Sequence, residues 1–375
     1  MRFNPGGRRA RFGRAPSPPA SKESRMTVRT RADLDQLPAY VAGRTVPGSI
    51  KLASNEVSAG PLPSVVETIT RAAAEVHRYP DMGATKLTEA LADKLHVAPE
   101  RLAVGCGSVA LCEQLVQATC SAEDEVVYPW RSFEAYPIIT RVVGARQIPV
   151  PLTGEHALDL DAMASAITSR TRLVFVCSPN NPTGPLVRRA ELEAFLDRVP
   201  SDVLVVLDEA YWEFVSDPEA PDGVEVARAR ENVASMRTFS KAYGLAGLRV
   251  GYTYAPEHVA AALRKVCIPF SVNAVAQAAA VASLEAQDEL KERCDSVVSE
   301  RRRVRDELLG LGYEVPETQA NFVWLPLGES TQEFNEHCLD NRVVVRAFVG
   351  EGARVTIGRP EENDTFLAAA RSYRR

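Results

Sequence analysis

The stretch Val203-Leu-Val-Val-Leu-Asp-Glu-Ala-Tyr211 decides how the chain folds. Five consecutive apolar residues, three of them β-branched valines, read as a strand buried on both faces. Leu173-Val-Phe-Val-Cys177 has the same character, and a helical pattern over residues 188–199 separates the two runs. Unbroken apolar strands alternating with helices predict an α/β fold with a mostly parallel sheet covered on both sides. In such sheets ligands gather beyond the carboxyl ends of the strands. The first run ends in Asp208-Glu-Ala-Tyr211 and the other in Ser178-Pro-Asn-Asn181-Pro-Thr-Gly184. The fold therefore predicts that Asp208 and Asn181 meet at one rim.

Working outward, Arg237-Thr-Phe-Ser-Lys-Ala-Tyr-Gly-Leu-Ala-Gly-Leu-Arg249 leads into a strand-like run over residues 250–255. Lys241 sits among hydroxyls and glycines, and Arg249 follows it. A lone lysine in such a loop is ordinarily a solvated surface residue. At the same rim as a carboxylate, a partly desolvated lysine becomes a candidate nucleophile, and hydroxyls with a fixed guanidinium suit an anionic cofactor. Upstream, a short strand over residues 101–104 runs into Gly105-Cys-Gly107-Ser108-Val-Ala110 and a helix to about residue 119. Strand, glycine turn and helix N-terminus together suit a phosphate. The same residues fit G-x-G-x-x-A, so a dinucleotide site and a nicotinamide oxidoreductase form the rival reading.

Composition narrows the class. An apolar fraction of 45% and a charged fraction of 25% describe a globular chain, and the net charge of -5 speaks against a nucleic-acid surface. No apolar run approaches the roughly 18 residues of a membrane span. The seven cysteines show no C-x-x-C and no histidine at ligand spacing, so they read as reduced cytoplasmic thiols with no metal site expected. Residues 1–26, rich in Arg, Pro, Ser and Gly, read as a disordered tail or as sequence upstream of a start at Met26. Residues 27–62 form an N-terminal arm, expected to pack on a small domain and on a dimer partner. Residues 63–275 form the large domain. Residues 276–375 hold a long helical region to about residue 311, then short strands and a final helix in a smaller α+β unit.

Three ordered motifs carry a resemblance: Ser178-Pro-Asn-Asn-Pro-Thr-Gly184, Asp208-Glu-Ala-Tyr-Trp-Glu-Phe214 and Arg237 through Arg249 as quoted. They resemble the class I/II aminotransferases of pyridoxal phosphate (PLP) fold type I, in the histidinol-phosphate and aromatic amino-acid branch. The resemblance covers essentially all of residues 34–375. It implies PLP as cofactor, with Lys241 as the Schiff-base lysine and Asp208 on the pyridinium nitrogen. Tyr211 and Asn181 would bond the ring hydroxyl, and Phe133 would stack on the ring. Gly107, Ser108, Val109, Thr238, Ser240 and Arg249 would hold the phosphate. Tyr79 would reach it from a second subunit, which implies a homodimer. Arg354 would clamp the substrate carboxylate.

Plainer roles stand beside several of these. Tyr211 and Phe133 are also acceptable core aromatics, and Asn181 a turn residue before proline. Tyr40 and Asn55 of the arm either reach substrate or pack. Arg346 either touches substrate or forms a salt bridge.

The substrate is read from departures. Histidinol-phosphate enzymes usually carry N-E-N-P-Y-G where this chain has Asn55-Glu-Val-Ser-Ala-Gly60, and P-T-Y/F-x-x-Y where it has Arg131-Ser-Phe-Glu-Ala-Tyr136. The apolar pair Trp130 and Phe133 favours a phenyl or indole side chain. The segments around Gly105 and Trp130 also resemble the phenylalanine aminotransferase group. The expectation is transamination between aromatic amino acids and 2-oxo acids, with a donor such as glutamate. Histidinol-phosphate transamination and, more remotely, a PLP-dependent amino-acid phosphate decarboxylase are the alternatives. A PLP-sensing regulator would need a DNA-binding domain, and the tail is too short for one.

Overall fold

The structure, a computed structural model, describes residues 28–31, 37 and 45–373. The chain divides into two units, 1–36 and 37–375. Of the first, residues 28–31 are exposed chain without regular structure. The tail assigned to residues 1–26 and the candidate Tyr40 lie outside the described residues.

Strands are numbered along the chain. The large sheet contains β2 (Leu102–Gly105), β3 (Glu125–Trp130), β4 (Arg146–Pro151), β5 (Thr171–Cys177), β6 (Leu204–Asp208), β7 (Val233–Thr238) and β8 (Gly251–Tyr254). Their order across the sheet is β2-β8-β7-β6-β5-β3-β4. Only β8 runs antiparallel to its neighbours. The expected α/β class and mostly parallel sheet are what the chain adopts. β5 and β6 are buried along almost their whole length because helices cover both faces, which is why each reads as a continuous apolar run. Two separate apolar clusters, one built around Val176, Val205 and Phe239 and the other around Leu115, Phe175 and Met236, pack on this sheet.

A third cluster, with Val304, Phe334, Val355 and Phe366, belongs to the C-terminal part. There β9 (Phe322–Leu325), β11 (Arg346–Phe348) and β12 (Gly352–Thr356) form an antiparallel sheet in the order β11-β12-β9. β1 (Ile50–Lys51) pairs in parallel with β10 (Val343–Val344), and Leu52 is buried in the same cluster. The arm segment around residue 50 is thus stitched to the C-terminal strands.

Two local expectations differ, and two strands carried no sequence signal. The long helical region is two helices, Ala274–Glu285 and Gln287–Gly310, because the chain leaves helical geometry at Ala286, where ψ is 48°. The run 343–346 divides at Val345, since β10 pairs with β1 and β11 pairs with β12. β4 and β7 had no continuous apolar signature: β4 is an edge strand with two prolines, and β7 carries Ser235, Arg237 and Thr238.

Candidate active site

A cavity of about 210 Å³ opens at the carboxyl ends of β5, β6 and β7. Its wall includes Asn55, Ser108, Val109, Phe133, Asn181, Asp208 and Tyr211. Thr238, Ser240, Lys241, Arg249, Arg346 and Arg354 complete the candidates found there. A larger cleft of about 710 Å³ around His156 and Glu317 contains none of them. Parallel strand direction brings Ser108, Val109, Phe133, Asn181, Asp208, Tyr211 and Lys241 to one edge, since each closes or follows a strand of the large sheet that points there. Arg346 and Arg354 reach the cavity from the C-terminal hairpin, and Asn55 from the arm.

Asp208 closes β6 and is 3% exposed. Its Oδ2 accepts a 2.6 Å hydrogen bond from the Tyr136 hydroxyl, while Oδ1 is buried with no hydrogen-bond partner. Burial raises its pKa to about 6, and the bonds from Tyr136 and the Ala210 backbone hold it down. A buried carboxylate oxygen without a donor costs stability unless a ligand supplies one. Oδ1 is therefore fitted to a ligand group carrying an N–H.

Lys241 is half-buried in the loop after β7, with Nζ donating to the Ser54 carbonyl at 3.3 Å. Burial, aided by the Arg354 and Arg249 charges, lowers its pKa to about 8, against the pull of Glu56 and Asp208. Tyr211 lies behind it, the amine 5.9 Å from the ring centre. The Tyr211 hydroxyl accepts from Asn55 Nδ2 at 2.8 Å, and burial pushes its pKa up.

The phosphate candidates form one cradle. Gly107 opens the helix Gly107–Thr119 at φ 76°, and a Cβ there would run into the Arg249 guanidinium. Cys106 caps this helix without a side-chain bond, and Ser108 and Val109 of its first turn line the cavity. Arg249 Nη1 donates to Ser240 Oγ at 3.1 Å and to the Ala246 carbonyl at 2.9 Å. Thr238 Oγ1 bonds Ser240 Oγ at 3.0 Å. Helix N-terminus, hydroxyls and guanidinium make an anion site.

Arg354 in β12 donates to Asn181 Oδ1 and, at 2.7 Å, to the Ala53 carbonyl. Arg346 Nη2 donates to Glu134 Oε2 at 2.8 Å, so this arginine has both the salt bridge and the cavity position. Asn55, in left-handed geometry at φ 55°, is 1% exposed and bonded to Thr356 and Tyr211. Phe133 lines the cavity, whereas Trp130 does not and lies instead with its ring 4.4 Å from the Arg131 guanidinium. The expected apolar pair is thus one residue. Tyr79 is outside the cavity, 83% exposed, with its ring 4.7 Å from that of Phe270.

Sequence reading missed Tyr136 and Glu134. Tyr136 stacks on Phe175 at 4.5 Å and packs edge-on to Phe133. Its signal was spacing, three residues after Phe133 at the start of the helix Ala135–Val143. Among the described residues no His, Cys, Asp and Glu cluster could hold a metal ion, and no helix is long and apolar enough to cross a membrane.

Fold and cavity together set a lysine, a buried carboxylate and an anion cradle at one edge of an α/β sheet, and the family follows. The family model "Aminotransferase class I and II" matches residues 47–370, and the chain belongs to that family. It is 60% identical over 347 residues to an aromatic amino acid aminotransferase of Rhodococcus jostii (strain RHA1), covering 92% of this chain and 96% of that one. The counterpart of the same name in Streptomyces coelicolor is 58% identical, covering 94% and 99%. Among solved structures, the histidinol-phosphate aminotransferase of Sinorhizobium meliloti, in complex with pyridoxal-5'-phosphate, superposes with a TM-score of 0.85 at 29% identity, covering 92% and 97%. The chain is an aminotransferase acting on small molecules.

Proposed function

We propose that this enzyme exchanges the amino group of aromatic amino acids with 2-oxo acids, using PLP and a donor such as glutamate. The observation that carries the reading is the meeting in one cavity of Lys241, the half-partnered Asp208 and the Arg249 cradle. The aromatic side of it rests on relatives at 56–60% identity that bear that name.

When bound, PLP supplies an electron sink for the carbanion left by removal of the α-proton. Asp208 Oδ1 would accept the ring N–H. The cradle of Gly107, Ser108, Val109, Thr238, Ser240 and Arg249 would hold the phosphate, and Phe133 would cover the ring. Tyr211 and Asn181 would bond the ring hydroxyl, with Asn55 fixing the Tyr211 hydroxyl. Lys241, with its pKa lowered to about 8, gives up its proton more readily than an ordinary lysine, and its Nζ would take and return the α-proton. Arg354 holds the substrate carboxylate by its guanidinium fork.

In this reading residues 63–275 hold the cofactor, 276–375 supply a linker helix and small domain, and 27–62 form an arm. The active unit is a homodimer. Tyr79, with Val76, Met82, Ile268 and Phe270, leaves an exposed apolar group suited to a second copy. Steady-state kinetics with phenylpyruvate and histidinol phosphate tests the function. The expected kcat/KM favours phenylpyruvate, and a tenfold preference for histidinol phosphate would overturn the reading.

A further inference from the structure

Among the described residues, three arginines line the cavity: Arg249, Arg346 and Arg354. In the reading above a PLP-bound aromatic amino acid brings two anions to it. The phosphate belongs to the cradle of Arg249, and the α-carboxylate belongs to Arg354. One guanidinium is left over. Arg346 and Arg354 are cross-strand partners on β11 and β12, so their side chains leave the same face of the hairpin. Two like charges side by side beside an uncharged ring are unfavourable unless each has a counter-ion.

The structure supplies one. Glu134 follows Phe133 directly and also lines the cavity, and its Oε2 accepts from Arg346 Nη2 at 2.8 Å. The Arg346 side chain is 13% exposed and that of Glu134 30%, so the pair is partly desolvated. The other cavity carboxylates are engaged elsewhere: Glu56 pairs with Lys51 at 2.8 Å, and Asp208 is held by Tyr136. A second bridge, Arg131 Nε to Glu351 Oε2 at 2.9 Å, fastens the same loop to the turn beyond β11. Glu134 is thus held in place by its surroundings at both ends of the hairpin.

We propose that Glu134 is a specificity-determining residue: by neutralising Arg346 it adapts the cavity to uncharged side chains and disfavours those ending in a carboxylate. The inference rests on the function proposed above and names what enforces its substrate class. Selectivity of this kind comes from a group set against the wrong ligand as much as from contacts to the right one. Glutamate, as amino donor, binds against an arginine that is already occupied. With Glu134 replaced by a neutral residue, Arg346 becomes a receptor for a distal carboxylate.

The test uses the holoenzyme, wild type, E134Q and E134Q/R346Q, with E134A as a second neutral variant should E134Q fold poorly. Glutarate and 3-phenylpropionate, which carry no amino group, are titrated calorimetrically, and single-turnover half-reactions are followed with glutamate and phenylalanine. E134Q is expected to bind glutarate at least fivefold tighter and to raise the glutamate-to-phenylalanine ratio of kcat/KM at least fivefold. Adding R346Q is expected to cancel both gains. A purely structural role for Glu134 would lower both substrates together and leave the ratio unmoved. A glutarate gain below fivefold, or one that survives R346Q, overturns the proposal. Wild-type enzyme inactive on phenylalanine would overturn the aromatic reading instead, while the glutarate titration still decides the role of Glu134.

Discussion

Asp208 and Glu209 are neighbours at the end of β6, both 3% exposed, and their surroundings are opposite in kind. Glu209 is saturated. It accepts from the Gly223 amide at 2.9 Å, from Ser235 Oγ at 2.6 Å and from Arg237 Nε at 3.1 Å. Arg237 also reaches Asp222 at 2.8 Å and lies 4.6 Å from the Trp212 ring. Asp208 accepts from the Tyr136 hydroxyl on Oδ2, while its Oδ1 has no hydrogen-bond partner. Strand alternation sends the two side chains to opposite faces of one sheet. One face is finished by folding alone, and the other is left open for a ligand. A buried carboxylate that folding fails to satisfy marks function, and one fully satisfied marks structure.

The widest separation between the faces is expected in Lys241→Ala. Transamination should fall by about 10⁴-fold or more, since a nucleophile and proton carrier is removed. Unfolding midpoints should stay at or above wild type, because a partly desolvated amine goes with it. Near-wild-type turnover would remove the functional meaning of the open face. Next come the two carboxylates themselves. D208N should lower kcat by roughly 10²-fold. It should also stabilise the apo-protein at neutral pH, because a pKa raised from 3.8 to about 6 corresponds to roughly 3 kcal/mol spent on keeping that carboxylate ionised. E209Q should do the reverse. It leaves Arg237 short of a partner and should cost about 3 kcal/mol in denaturant unfolding, with less than a tenfold loss of kcat. If E209Q proved the more damaging to kcat, the division of labour along β6 would be wrong.

This contrast also explains what was legible in the sequence. The sheet could be read because β5 and β6 are buried on both faces, and their rim residues could be placed because strand direction alone carries them there. Lys241, Asp208 and Arg249 sit in motifs, and the cavity does contain them. β7 was hidden because its alternate residues Ser235 and Arg237 serve the Glu209 cluster, so the strand shows polar groups that are nonetheless buried. Tyr136 and Glu134 were hidden for another reason. Their partners Asp208 and Arg346 lie 72 and 212 residues away, and no local pattern encodes a contact of that separation. Trp130 misled because an apolar residue beside Phe133 does not share its direction.

The smallest expected effect probes how Asp208 is held open. Its carboxylate is bonded by Tyr136 and feels the buried thiols Cys177 and Cys112, Glu209 through the sheet and Lys241 across the cavity. Among these the Tyr136 hydroxyl contributes most to keeping the pKa down. Y136F should therefore move it further above 6. The sign follows from linkage: the folded apo-protein holds a proton on Asp208 that the unfolded chain has lost above pH 3.8. Stability contributed by this site is intact below about pH 4 and falls as pH rises towards 6. In Y136F that fall should continue to higher pH and end lower, by about 1 to 2 kcal/mol at pH 7.5, with little difference from wild type at pH 4. Denaturant unfolding of both apo-proteins across this range measures it. A gap between the two that does not change with pH would mean that Tyr136 only packs against Phe175, and that the openness of Asp208 is set by burial alone.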